Sequence, residues 1–167
     1  MDEPPFRFEI RVAAALDAST LATLRVASER ERYPERAAHV GDEFAERSIA
    51  YFQAQLERAP TVVYAWLATV EATAVGSAVL TFATALPRPM DVGDTLDGRI
   101  RSVYVDPHVR RQGIASALVR AAIDRARACN VSRLTLGASP DGKPLYEKFG
   151  FVVNDDEMIL ASREVSG

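Results

Sequence analysis

The sequence predicts an α/β fold, a mixed central sheet of about six to seven strands flanked by helices, in one domain over residues 1–167. Three observations carry this. A length of 167 residues suits a single domain, since domains mostly run roughly 100–200 residues. Stretches rich in alternating or β-branched residues are interleaved with longer stretches of helical spacing, in the order β-α-α-β-β-β-α-β-α-β-β. No internal repeat, low-complexity tract or linker interrupts that order.

The first element is a half-buried strand, because Phe6, Phe8, Ile10 and Val12 alternate with Arg7, Glu9 and Arg11. Asp17 or Ser19 then caps a helix to about Arg32, with Leu21, Leu24 and Ala27 or Ser28 on one face, and Pro34 stops it. A second helix runs from Gly41-Asp42 to about Arg58, with Phe44, Ile49, Phe52 and Leu56 near helical spacing, and Pro60 ends it. Thr61–Val70 and Ala74–Ala83 read as a hairpin turning at Glu71-Ala72-Thr73.

Residues 84–98 are dense in Pro, Gly and Asp and read as a long loop of the kind that forms lids and binding loops. Arg99–Val105 is a strand broken by Asp106-Pro107-His108. Gly113–Cys129 is an amphipathic helix with Ile114, Leu118, Ala121, Ala122 and Ala126 inward, and Asn130 supplies the left-handed residue past its end. Val131–Gly137 is a short strand, and Pro144–Phe149 a brief helix with Pro first. Phe151–Val153 and Glu157–Ala161 close the sheet as a hairpin or bent strand pair.

Composition narrows the function. A net charge of −3 and a pI near 5.5 argue against a nucleic-acid footprint. No Lys/Arg cluster suits an anionic membrane, and the apolar runs are too short to span one. The start Met1-Asp2-Glu3-Pro4-Pro5 has no signal-peptide pattern, so a cytoplasmic location is expected. Cys129 is the single cysteine and cannot form an intramolecular disulfide; at a helix end, away from any implied cation, it reads as structural. His39 and His108 have no metal-ligand spacing, so no metal is expected.

The stretch with chemical content is Ser102–Ala115, where a strand runs through a tight turn into a helix opened by Gly113. Free backbone N–H groups and roughly half a positive charge of macrodipole face such a turn, which makes it an anion site. Arg110 and Arg111 add charge beside it, Gly113 allows close backbone approach, and Ala115 keeps the face open. These parts suit a pyrophosphate. Neither the G-x-G-x-x-G dinucleotide fingerprint nor the G-x-x-x-x-G-K-[ST] P-loop is present.

Arg110-Arg111-Gln112-Gly113-Ile114-Ala115 resembles the R/Q-x-x-G-x-G/A signature of the GNAT N-acetyltransferase superfamily. Val103-Tyr104-Val105-Asp106-Pro107 resembles that family's fourth strand and exit turn, and Leu145-Tyr146-Glu147-Lys148-Phe149-Gly150-Phe151 its Leu-Tyr-x-x-x-Gly-Phe hallmark. The resemblance implies acetyl-CoA as co-substrate. The backbone of Val103, Tyr104 and Val105 would pair with the pantetheine arm, with one amide polarising the thioester carbonyl. Backbone amides from Arg111, Gln112, Gly113, Ile114, Ala115 and Ser116 would bind the pyrophosphate, and Tyr146 would protonate the departing thiolate. It further implies direct attack by the amine, with no acyl-enzyme. Two departures stand out: Ala115 replaces the second glycine, and Ala138–Lys143 lacks the asparagine often found there.

The implied activity is N-acetyl transfer to a small primary amine, with a protein amine or a non-catalytic acyl-CoA sensor of the same fold as alternatives. Glu147 reads as a solvated helix residue and Glu71 as a turn residue. Asp91, Asp94 and Asp97 read first as turn chemistry and second as an acidic rim for a cationic amine. Asp42, Glu43 and Glu46 serve the helix dipole equally well. The general base, acyl length and acceptor are not specified, and a homodimer is compatible with the sequence without being encoded in it.

Overall fold

A computed structural model describes residues 6–89 and 95–154 of the chain. Strand β1 spans Glu9–Val12 and helix α1 spans Ala18–Arg32. The corner between them is closed by Asp17, whose carboxylate receives Arg11 Nη1 and Nη2 at 2.8 and 2.7 Å and the Ala14 N–H at 2.9 Å. The expected N-cap role therefore goes unfilled: Asp17 precedes α1 but its side chain makes no capping bond, and Ser19 lies within the helix. α1 buries Ala18, Leu21, Ala22 and Leu24.

Pro34 opens a 3₁₀ turn to His39, and Arg30 ties the connection back to α1 by donating to the Val40 carbonyl at 2.7 and 3.1 Å. Helix α2, Asp42–Leu56, begins after Gly41 and buries Phe52, with Ile49 and Leu56 against the same core.

Strands β2 (Val63–Val70) and β3 (Thr73–Thr84) form the expected hairpin. Its turn is Glu71-Ala72, with φ of 48° and 66°, the mirror-image turn that matches strand twist. β4 spans Leu96–Val105 and pairs with β3 from Thr84↔Leu96 onward. The expected loop 84–98 is thus shorter, because strand pairing takes both of its ends. Asp97 is a strand residue bonded to Arg88 at 2.6 Å, while Asp91 and Asp94 lie outside the described residues.

Helix α3 (Ile114–Ala128) crosses over to β5 (Arg133–Leu136), which runs parallel to β4. The sheet order is β1-β2-β3-β4-β5, antiparallel up to β4. Five strands among the described residues is fewer than the six to seven expected. Phe151–Asn154 form no strand, and the expected strand 157–161 lies outside the described residues.

The sheet has two covered faces. Ala65, Leu67 and Val79 pack with Leu21, Leu24 and Phe52 on the α1–α2 side. On the other side α3 presents Ile114, Leu118, Val119, Ala122, Ile123 and Ala126 to the core. Leu118 and Val119 are 0% exposed, each worth roughly 1.5–3 kcal/mol of burial. Val119 and Ile123 extend the expected inward face, whereas Ala121 is only half-buried. Gly76 marks the tightest approach: a Cβ there would stand 2.8 Å from the Tyr104 carbonyl oxygen.

Met1–Gly137 form one compact unit and Ala138–Gly167 a second. The described part of the second holds helix α4, Lys143–Glu147, with Pro144 in its first turn. Ser139 starts it, accepting the Gly142 N–H through its carbonyl at 3.0 Å and its Oγ at 3.2 Å.

Candidate active site

β4 does not run regularly. Val79 pairs with Arg101 and Ser77 with Tyr104, so Ala78 alone faces both Ser102 and Val103. This is a β-bulge, and Ser102 takes φ of 48° within it. Arg25 of α1 holds it by donating to Ser102 Oγ at 2.6 Å.

The bulge coincides with the end of parallel pairing, because β5 registers only with Asp97–Ile100 of β4. The Asp106 N–H bonds back to the Val75 carbonyl on the β3 side at 2.7 Å. By strand alternation Val103 and Val105 turn their N–H and C=O groups to the opposite edge, which no described strand covers. Tyr104 instead packs its ring against the α1–α2 core, where burial raises its phenol pKa, helped by Glu31.

The exit turn is ordered by Asp106, whose Oδ1 accepts the His108 N–H at 2.9 Å and meets His108 Nδ1 at 2.8 Å. Those bonds hold the Asp106 carboxyl below the usual carboxylate range. His108 itself is 93% exposed. Arg111 and Gly113 then adopt φ of 64° and 86°, aiming the chain into α3. The first intrahelical bond is Ala117 N–H to Gly113 O at 3.0 Å. The N–H groups of Gly113, Ile114, Ala115 and Ser116 therefore have no intrahelical acceptor. A Cβ at Gly113 would meet nothing within 4 Å, so the turn is open in front of them.

The two arginines of the motif are placed differently. Arg110 donates through Nε to the Val105 carbonyl at 2.9 Å and through Nη2 to Glu31 at 2.7 Å. Glu31 raises the Arg110 pKa further. Arg111 and Gln112 are exposed on the turn. In its own unit, Tyr146 is buried, edge-on to Phe151 at 6.2 Å between ring centroids. Its carbonyl accepts the Phe149 and Phe151 N–H groups at 2.9 and 3.2 Å.

An open strand edge leading to four N–H groups without intrahelical acceptors can pair with an extended polar chain and receive an anion. The family model for the Acetyltransferase (GNAT) family matches residues 22–151. The chain belongs to the GNAT acetyltransferase family.

Solved structures agree on the GNAT fold. A predicted acetyltransferase from Clostridium acetobutylicum, crystallised with acetyl-CoA, superposes with a TM-score of 0.79 at 23% identity, covering 95% of this chain and 98% of that one. A GCN5-related N-acetyltransferase from Ralstonia eutropha gives 0.80 at 22% identity, covering 93% and 99%. A glucosamine 6-phosphate N-acetyltransferase of Trypanosoma brucei brucei is 33% identical over 86 residues, which are 52% of this chain. That match spans 56% of the relative's length.

Reading the sequence for a GNAT motif alone misses a second group. Arg99 and Arg101 of β4 point to the α1–α2 side, bonding Thr135 and Thr81 hydroxyls at 3.4 Å each. Arg25 and Arg32 of α1 stand beside them. Nothing in the linear pattern signals this, because the group comes from two elements far apart in sequence, α1 and β4, and depends on where the bulge falls.

Proposed function

We propose that the chain transfers an acetyl group from acetyl-CoA to a primary amine of a small molecule, by direct attack of the amine on the thioester. The observation that carries this is the continuity of the uncovered edge at Val103 and Val105 with the free N–H groups of Gly113–Ser116. The helix-start amides and dipole would hold the pyrophosphate. Val103 would pair with the pantetheine arm through its N–H and carbonyl; the Val105 carbonyl already receives Arg110. Bound acetyl-CoA supplies an activated acyl thioester. A strand amide at this edge would polarise the carbonyl, and the Tyr146 hydroxyl would give its proton to the leaving sulfur. A small acceptor is favoured by the name of the trypanosomal relative, whose substrate is an amino sugar phosphate.

Calorimetry with acetyl-CoA tests the reading, comparing wild type with Gly113→Trp, which fills the open turn. Binding that the variant abolishes, together with thiol release on adding amines, supports it. A folded wild type that binds no acetyl-CoA overturns it.

A further inference from the structure

Four guanidinium groups converge on the α1–α2 side of β4, at the point where β4 and β5 part. Arg99 bonds the Thr135 hydroxyl and Arg101 the Thr81 hydroxyl, both at 3.4 Å. Arg25 reaches over from α1 to Ser102 Oγ at 2.6 Å. A Cβ at Gly137 would stand 3.7 Å from Arg32 Nη2 and 3.8 Å from Arg99 Nη2, so these two cations crowd one backbone turn.

Against them, the described residues set one carboxylate within ion-pair reach, Glu29, at 3.5 Å from Arg25. Like charges gathered this way oppose each other. Partial burial, then the charges of Arg99 and Arg25, depress the Arg101 pKa, and Tyr51 of α2 opposes that shift. An arginine stays cationic regardless. Such a group is stabilised by an anion, and the planar donor forks of arginine match carboxylate and phosphate oxygens. The floor beneath is hydroxylic, from Thr81, Ser102 and Thr135, which suits an oxyanion and not an apolar group.

The placement is also informative. A ligand held at Gly113–Ser116 and laid along Val105 and Val103 leads to Ser102, and Arg101 is the next residue of the strand. An amine approaching from the α1–α2 face passes these arginines.

We propose that the acceptor carries an anionic oxygen group, a carboxylate or a phosphate, bound by Arg99 and Arg101 with Arg25 beside them. This rests on the acetyl-CoA reading above. Of the acidic-rim residues, Asp97 is engaged by Arg88, and Asp91 and Asp94 lie outside the described residues.

The test is thiol release over matched amines: ethanolamine, β-alanine and O-phosphoethanolamine, then tyramine against tyrosine and glucosamine against its 6-phosphate. Acetyl-CoA affinity is followed in parallel by calorimetry. The best acceptor is expected to be an anionic member of its set, ahead of its neutral counterpart by about tenfold or more in kcat/KM. β-Alanine against O-phosphoethanolamine then separates carboxylate from phosphate. Arg101→Gln and Arg99→Gln should each raise KM for that acceptor about tenfold, with acetyl-CoA affinity within about twofold and Arg101→Lys recovering part of the loss.

Neutral amines used as well as anionic ones overturn the proposal, as does an anionic acceptor whose KM neither variant moves. Acetyl-CoA binding without turnover of any anionic amine also overturns it. A wild type that binds no acetyl-CoA removes the transferase reading itself, which the calorimetric arm reports separately.

Discussion

Arg110 is braced between Glu31 and Val105: Nη2 lies 2.7 Å from Glu31 Oε2, and Nε donates to the Val105 carbonyl at 2.9 Å. A carboxylate from α1 therefore sits beside the turn that is open to an anion. Glu31→Ala should tighten acetyl-CoA binding by about two- to fivefold at low salt, because it removes a repelling charge and frees a cation. Its stability cost should stay under about 1 kcal/mol, since both partners are partly exposed. A tenfold loss of affinity would show instead that the brace orients the turn.

Gly113 should tolerate a methyl group sterically but not conformationally. Its φ is 86° and a Cβ would meet nothing within 4 Å, so Gly113→Ala costs backbone strain of about 1–2 kcal/mol. Acetyl-CoA affinity should fall further than that strain accounts for, because the new methyl occupies the approach to the free amides. Thermal melts and calorimetry on the same protein separate the two effects; equal losses in both would leave the turn no role in binding.

Tyr146→Phe keeps the ring that meets Phe151 edge-on and removes the hydroxyl. We expect kcat to fall about 100-fold, the lower range for a positioned general acid, with acetyl-CoA affinity little changed. Retention of full kcat would reduce Tyr146 to a packing residue.

Asp17 should make stability pH-dependent. Its carboxyl is held below the usual range, first by the Arg11 hydrogen bonds and next by the Ala14 N–H, against the opposing effect of burial. A depressed folded pKa means stabilisation that is complete above the unfolded value of about 3.9 and is lost as pH falls through the folded one. Asp17→Asn should cost about 2 kcal/mol at neutral pH. Denaturant titrations should show that gap closing in acid. A gap that stays constant to pH 3 would place the effect elsewhere than in the charge.

What was legible in the sequence follows from which features have local causes. α3 could be read nearly to the residue because its apolar stripe is bounded by Gly113 and Asn130, both left-handed in the structure at φ of 86° and 51°. The motif arginines were legible as charges but not as partners, since Glu31 is remote from them in sequence. Ser102 and the Glu71-Ala72 turn take positive φ with residues that rarely announce it, so the tertiary ladder sets their conformation. The facing of Arg99 and Arg101 depends on pairing with β3 and β5, which no window of sequence contains. The loop 84–98 was overdrawn because its Pro and Gly residues hid two strand ends that pair across it, Thr84 with Leu96.

The bulge in β4 also puts that strand out of phase with itself. Before it, Ile100 shares a side with Leu80 and odd-numbered Arg101 looks toward α1; beyond it, even-numbered Tyr104 is the residue packed into the α1–α2 core. Deleting Ser102 would restore one continuous rhythm while leaving every neighbour on its present face. Such a shortened chain gives up the Arg25 and Ser77 bonds to Ser102, so it is expected to melt modestly lower than wild type and to lose acetyl-CoA binding as the strand straightens beside β5. The surplus residue, pinned by Arg25, works as a shim that offsets β4 just past its last pairing with β5, at the edge where the proposed ligand would lie.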